Sequence, residues 1–152
     1  MATEPIKILL VEDQPADIRL TQEVLKQGKV ANELHVAEDG EKAMEFLRKE
    51  GDYADMPRPD LVILDLNLPR MDGKEVLRAI KTDPDLLQIP VIMLTTSAAE
   101  RDIVDAYSHH VNAYITKPID LDEFVGVVSS IEQFWLSIVR LPEGLDGGED
   151  SR

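Results

Sequence analysis

The chain has 152 residues, 43% of them hydrophobic, with 30 acidic against 16 basic side chains and a net charge of −14. This is one domain's worth of a globular protein, with a full core and no sign of disorder through most of its length. The acidity argues against non-specific binding to nucleic acid or acidic lipid and otherwise reads as a solubility device. The absence of cysteine removes disulfides and thiolate metal sites.

Strand-like and helix-like segments alternate along the chain. After an N-terminal tail over 1–5, Ile8 to Val11 is a short branched-aliphatic run that reads as a strand. Ile18, Thr21, Val24 and Leu25 then follow helical spacing up to Gly28. A weaker strand at Leu34 to Ala37 leads into a helix over Glu41 to Glu50, with Ala43, Met44, Phe46 and Leu47 as its apolar stripe. The run Leu61-Val62-Ile63-Leu64 lies between Pro57 and Pro59 on one side and Pro69 on the other. It reads as a strand buried on both faces. A helix over Gly73 to Lys81 carries Val76, Leu77 and Ile80; the strand Val91 to Leu94 precedes a helix over Ala98 to Tyr107. Ala113 to Thr116 is the last strand. Such alternation implies a parallel sheet with helices on both faces, and right-handed crossovers favour a doubly wound topology.

The closing helix is long, about Leu121 to Val139. Phe124, Val128, Ile131, Trp135 and Ile138 form a stripe that would seal the core, while Val127, Phe134 and Leu141 widen the apolar face. The extra turns either pack on their own domain or offer a partner surface. The domain is expected over 6–141, followed by a disordered acidic and Gly-rich tail over 142–152. No stretch approaches the roughly 20 apolar residues of a membrane span, and no signal-peptide core is present, so a cytoplasmic protein is expected.

The polar residues that close the strands carry the chemistry. Glu12 and Asp13 follow the first strand, Asp65 the third, Thr95 the fourth and Lys117 the fifth. Open α/β sheets bind ligands at that rim. Three carboxylates there would repel unless a hard divalent cation joined them, and Mg²⁺ takes oxygen ligands of this kind together with waters and phosphate. Lys117 would then clamp a phosphoryl group, with Lys117-Pro118 a candidate cis bond, although trans is the commoner state. Thr95 ends the strand proper, whereas Thr96 or Ser97 could cap the helix that follows.

Val11-Glu12-Asp13, Leu64-Asp65-Leu66-Asn67-Leu68-Pro69-Arg70-Met71-Asp72-Gly73, Leu94-Thr95 and Lys117-Pro118, in this order, resemble the receiver domain of two-component response regulators. The resemblance covers about Ile6 to Val139. It implies a flavodoxin-like sheet of five parallel strands in the order 2-1-3-4-5 with five helices, the last extended. It implies Asp65 as phosphoacceptor and Mg²⁺ (or Mn²⁺) held by Asp13, Asp65 and the Asn67 carbonyl, with Glu12 ordering its waters. Lys117 would contact the phosphoryl group and Thr95 would bond it on arrival. Tyr114 matches the aromatic switch position, though packing alone would explain it equally. Asn67 and Ser97 flank the site and could tune phosphoryl lifetime.

The Pro-Arg-Pro lead-in, Leu-Thr-Thr-Ser and Phe-Trp resemble more narrowly the stand-alone response regulators paired with bacterial, notably cyanobacterial, phytochrome kinases. That implies a histidine kinase partner, signalling by protein contacts without a DNA-binding output module, and a homodimer formed through Phe134, Trp135 and Leu141. It implies a switch rather than a turnover enzyme, resetting by its own dephosphorylation. The segment 51–59 is longer than is usual in the family and is either a partner loop or a neutral insertion. Two rivals fit less well. A haloacid-dehalogenase-like phosphatase wants an acid where Asn67 stands, and a nucleotide-binding module wants a Gly-rich phosphate loop.

Overall fold

Five parallel strands pair in the order β2-β1-β3-β4-β5 in the computed structural model, which describes residues 4–136. In chain order they are β1 (Ile6–Val11), β2 (Asn32–Ala37), β3 (Leu61–Leu64), β4 (Val91–Thr95) and β5 (Ala113–Thr116). Each is followed by a helix: α1 (Pro15–Gln27), α2 (Gly40–Arg48), α3 (Gly73–Thr82), α4 (Glu100–Ser108) and α5 (Leu121–Ile131). This is the doubly wound sheet expected from the alternation, in the flavodoxin-like strand order that the receiver-domain resemblance implies. Every residue of β3 and β4 is buried, while the edge strands β2 and β5 are half-buried over most of their length. That difference explains why the central strands read as unbroken apolar runs and β2 read weakly.

Alternate side chains serve opposite faces of the sheet. Leu9, Val11, Val62 and Leu64 pack with Met44, Phe46, Val76, Leu77 and Ile80 from α2 and α3. Ile8, Leu10, Ile63 and Ile92 pack on the other face with Leu25 of α1 and Phe124, Val128 and Ile131 of α5. The described part of the expected stripe, Phe124, Val128, Ile131 and Trp135, therefore seals its own domain. Trp135 is packed against this second cluster, and Phe134 is 58% exposed.

Three of the helix boundaries differ from expectation for identifiable reasons. Helix α2 stops early because Lys49 adopts a left-handed conformation (φ 57°). Helix α4 begins at Glu100 rather than Ala98, because the Ser97 hydroxyl accepts from the Ala99 N–H and holds that turn outside the helix. The last helix changes to a π-helical turn over Glu132–Leu136. Buried Glu132 accepts there from the Val30 N–H at 2.7 Å, and a Cβ on Gly28 would lie 2.7 Å from its carboxylate. Ile138, Val139, Leu141 and the tail over 142–152 lie outside the described residues, as does most of the N-terminal tail.

The long segment 51–59 packs on its own domain. It makes a 3-10 turn (Gly51–Tyr53), packs the Tyr53 ring at a tilt against Phe46 with centroids 5.7 Å apart, buries Pro59 and ties the Arg58 guanidinium to the Asp85 carbonyl. Among the described residues no helix is long and apolar enough to cross a membrane.

Candidate functional site at the carboxyl ends of the strands

The chain reverses its direction of winding between β1 and β3, the place where a parallel sheet opens a crevice. Glu12 and Asp13 leave β1 on one side of that crevice and Asp65 leaves β3 on the other. Backbone bonds continue the ladder past the strand ends and hold these residues in place. The Glu12 N–H donates to Ala37, the Asp65 N–H to Val11 (both 3.0 Å) and the Lys117 N–H to Thr95 (2.6 Å). Carboxylate oxygens of Glu12, Asp13 and Asp65 lie within 4.8 Å of one another.

Lys117 reaches into this group from β5. Its Nζ donates to Glu12 Oε1 at 2.6 Å, Asp17 Oδ2 at 2.8 Å and Asp65 Oδ2 at 3.0 Å, with the lysine side chain 4% exposed. The strand ladder and these three carboxylates hold it inward. No peptide bond among the described residues is cis, so the candidate cis bond at Lys117-Pro118 is trans.

Charge is tightly balanced here. Burial pushes the Glu12 carboxyl up from 4.5 to about 7 against the pull of Lys117, and neighbouring Asp65 pushes the same way. Desolvation opposes the Lys117 ammonium, but its bonds to Asp17 and Glu12 and the charge of Asp65 more than offset it, raising its pKa above the ordinary lysine value.

The donor set fits a hard divalent cation. It is all oxygen, it is clustered, and the buried Oδ1 of Asp13 has no hydrogen-bond partner. A buried carboxylate oxygen left unpaired costs free energy that a metal ligand bond removes. The backbone N–H of Asn67 donates to Asp65 Oδ1 at 3.2 Å, which holds the Asp65 carboxylate in register, while the Asn67 side chain is exposed.

Gly73 shapes the floor beneath Asp65. Its N–H donates to Leu66 at 2.8 Å, and a Cβ there would lie 2.2 Å from the Asp65 carbonyl oxygen. Asp72 caps the helix that starts at this point, with Glu75 answering in a capping box.

Thr95 is fully buried at the end of β4. Beside it, the Tyr114 hydroxyl donates to the Ser97 carbonyl at 2.8 Å, and the Ser97 hydroxyl meets Asp102 Oδ2 at 2.6 Å. Asp102 in turn pairs with Lys74 of α3 at 2.7 Å. Thr95, Ser97 and Tyr114 thus form one connected edge. His35 and His109 are half-buried and His110 is exposed, and none is among the side chains that meet at this cluster.

Two features escaped the sequence reading. None of the strand-end motifs marks Asp17, although its place one turn after Asp13, with Pro15 opening the helix, is a usable signal. The Lys74–Asp102 pair joins two helices whose adjacency only the fold reveals.

A family model described as the response regulator receiver domain matches residues 8–129. Response regulator Rcp1 of Synechocystis is 52% identical over 138 residues, covering 91% of this chain and 94% of that protein. The crystal structure of the Mn²⁺-bound form of Rcp1 is similar with a TM-score of 0.85 at 52% identity, over 87% of this chain and 95% of its own. The structure of the phosphorylated cyanobacterial phytochrome response regulator RcpA gives 0.86 at 52% identity, over 89% and 96%.

Proposed function

The chain belongs to the family of response regulator receiver domains, and on that premise we propose that it is a phosphorylation switch whose acceptor is Asp65. The observation that carries this reading is the buried Lys117 ammonium held 3.0 Å from Asp65 Oδ2, beside an orphaned Asp13 oxygen, at the β1/β3 crevice. Lysine and carboxylates at such a place suit a group that arrives carrying negative charge.

The donor is a phosphohistidine of a sensor kinase. An Asp65 carboxylate oxygen attacks phosphorus, the bond from phosphorus to the histidine nitrogen breaks, and its electron pair leaves with the imidazole. Lys117 gives up its contact with Asp65 Oδ2 for a phosphoryl oxygen. Asp13, Asp65 and the Asn67 carbonyl would hold Mg²⁺ or Mn²⁺, with Glu12 ordering its waters. The ion supplies positive charge where the transferring oxygens gather negative charge. Reset occurs when water attacks the acyl phosphate and Asp65 leaves as the carboxylate, so the chain is a switch and not a turnover enzyme.

Phosphorylation adds charge and three acceptor oxygens at one rim. The Thr95 hydroxyl turns to bond them, and Tyr114, already tied to the Ser97 carbonyl, repacks against the space released. The signal leaves by protein contacts in the cytoplasm. A homodimer through the end of the last helix suits exposed Phe134 and half-buried Trp135, which line an apolar groove of about 600 Å³ with Ile115, Val127 and Ile131; Leu141 lies outside the described residues. The likeness to Rcp1 and to the phytochrome response regulator RcpA supports a phytochrome-type photosensor as the kinase.

Phosphotransfer tests the reading. Label on an autophosphorylated phytochrome-type kinase is expected to pass to this chain and not to its Asp65→Asn variant. A kinase that keeps its label, or an Asp65→Asn chain that takes it equally, contradicts the reading. Sedimentation tests the homodimer separately: a monomer at tens of micromolar, roughly the weak-interface range, with and without phosphoryl donor, overturns it.

A further inference from the structure

We infer that Asp17 is a positioning residue for phosphoryl transfer: a fixed tether that keeps the Lys117 ammonium in place while its other carboxylate partners are engaged. The inference rests on the reading of Asp65 as phosphoacceptor and concerns a residue outside the motifs that identify the family.

An ammonium has three protons, and Lys117 spends them on three carboxylates: Glu12 at 2.6 Å, Asp17 at 2.8 Å and Asp65 at 3.0 Å. Two of these acceptors belong to the acidic cluster that could hold a metal ion, and Asp17 does not. With a cation and a phosphoryl group in the site, Asp65 would be an acyl phosphate and Glu12 would order the waters of the cation. Lys117 then needs a partner that neither event claims. Asp17 is that partner, and it comes from a different element, the first turn of α1.

The backbone makes the tether rigid. Pro15 opens α1 with its φ preset, which puts Asp17 in the first turn, where a carboxylate also complements the helix dipole. Helical side chains lean towards the N-terminus, which here is the end of α1 joined to Glu12 and Asp13. The carbonyl of Asp17 accepts from the buried Thr21 hydroxyl at 2.8 Å, fixing that turn further. At 24% exposure the Asp17 carboxylate is shielded but reachable, so its charge acts on Lys117 and its replacement does not open the core.

The test compares Asp17→Asn and Asp17→Ala with the parent chain in two measurements: affinity for Mg²⁺ or Mn²⁺ by calorimetry, and the maximal rate of labelling by acetyl phosphate at saturating metal. A tether predicts metal affinity within about twofold of the parent, while the labelling rate falls about tenfold in Asp17→Ala and less in Asp17→Asn, since misplacing a reacting partner is costly. It also predicts that Asp17→Ala has no further effect once Lys117 is replaced by Ala, because coupled residues do not add. Asp17→Ala labelling at the parent rate overturns the proposal. So does a fall in metal affinity that tracks the rate, or an undiminished effect of Asp17→Ala beside Lys117→Ala. The parent chain's labelling separates the two levels: if it is not labelled on Asp65, the acceptor assignment itself fails, whereas labelled Asp65 with an indifferent Asp17 rejects the tether alone.

Discussion

Two lysines at the same rim of the sheet make ion pairs of nearly equal length and very different consequence. Lys117, 4% exposed, meets Glu12, Asp17 and Asp65 at 2.6, 2.8 and 3.0 Å. Lys74, 34% exposed, meets Asp102 at 2.7 Å. Distance alone would rank them together, but burial separates them. In the crevice each charge depends on its neighbours, because water cannot replace a lost partner. On the α3–α4 rim water can, so that pair holds an edge in place without supporting the fold. The first region depends on its buried partners and the second is shared with solvent.

Removing Lys117 should break this contrast most severely. Lys117→Met leaves buried carboxylates facing one another and is expected to destabilise the metal-free chain by about 3–5 kcal/mol, read from denaturant unfolding. Saturating Mg²⁺ should narrow the gap, because divalent charge substitutes for the ammonium. Gly73, which joins the two regions, comes next. A Cβ 2.2 Å from the Asp65 carbonyl oxygen has backbone on its far side and cannot be accommodated by a rotamer change. Gly73→Ala should therefore cost about 1–3 kcal/mol or more. Gly126, where a Cβ would meet nothing within 4 Å, is the control: Gly126→Ala should stabilise α5 by about 1 kcal/mol.

Glu12 gives the buried region a pH dependence near neutrality, whereas the pairing of Lys74 with Asp102 lowers the carboxyl and raises the ammonium, away from that range. Its carboxyl is raised from 4.5 to about 7, chiefly by burial. Its contribution to metal-free stability is therefore fully present below about 4.5 and is lost as pH rises through about 7. Unfolding followed from pH 5 to 8 should show that decline, and Glu12→Gln should flatten it. Metal affinity should climb over the same window, since the cation competes with the Glu12 proton. The smallest effect belongs to the rim. Asp102→Asn should leave the thermal midpoint nearly where it is and shift the amide resonances of Thr95, Ser97 and Tyr114, whose edge it anchors.

The same contrast explains what could be read from sequence. Glu12, Asp13, Asp65, Thr95 and Lys117 each terminate a strand, and a strand's direction is legible from a handful of branched residues, so their meeting at one rim follows from a parallel sheet. Asp17 and the Lys74–Asp102 pair sit on helices, where an acid or a lysine is ordinarily solvated. Only the approach of β5 to α1, or of α3 to α4, turns these residues inward or across. The change of helical form at Glu132 has the same origin. The apolar stripe runs on smoothly through Trp135, but a hydrogen bond to Val30, remote in the chain, accompanies the change of pitch. Helical periodicity carries no trace of that bond. The 51–59 segment read as a length anomaly because its packing on Phe46 and Asp85 is likewise long-range.

One measurement tests the central claim most directly: intact-mass and peptide mapping after incubation with acetyl phosphate, with and without Mg²⁺, on the parent chain and on Asp65→Asn. The account predicts a single metal-dependent phosphoryl addition on the peptide holding Asp65, absent when the metal is withheld and absent at that position in the variant. Addition that persists undiminished in Asp65→Asn, or that proceeds equally without a divalent ion, would contradict it.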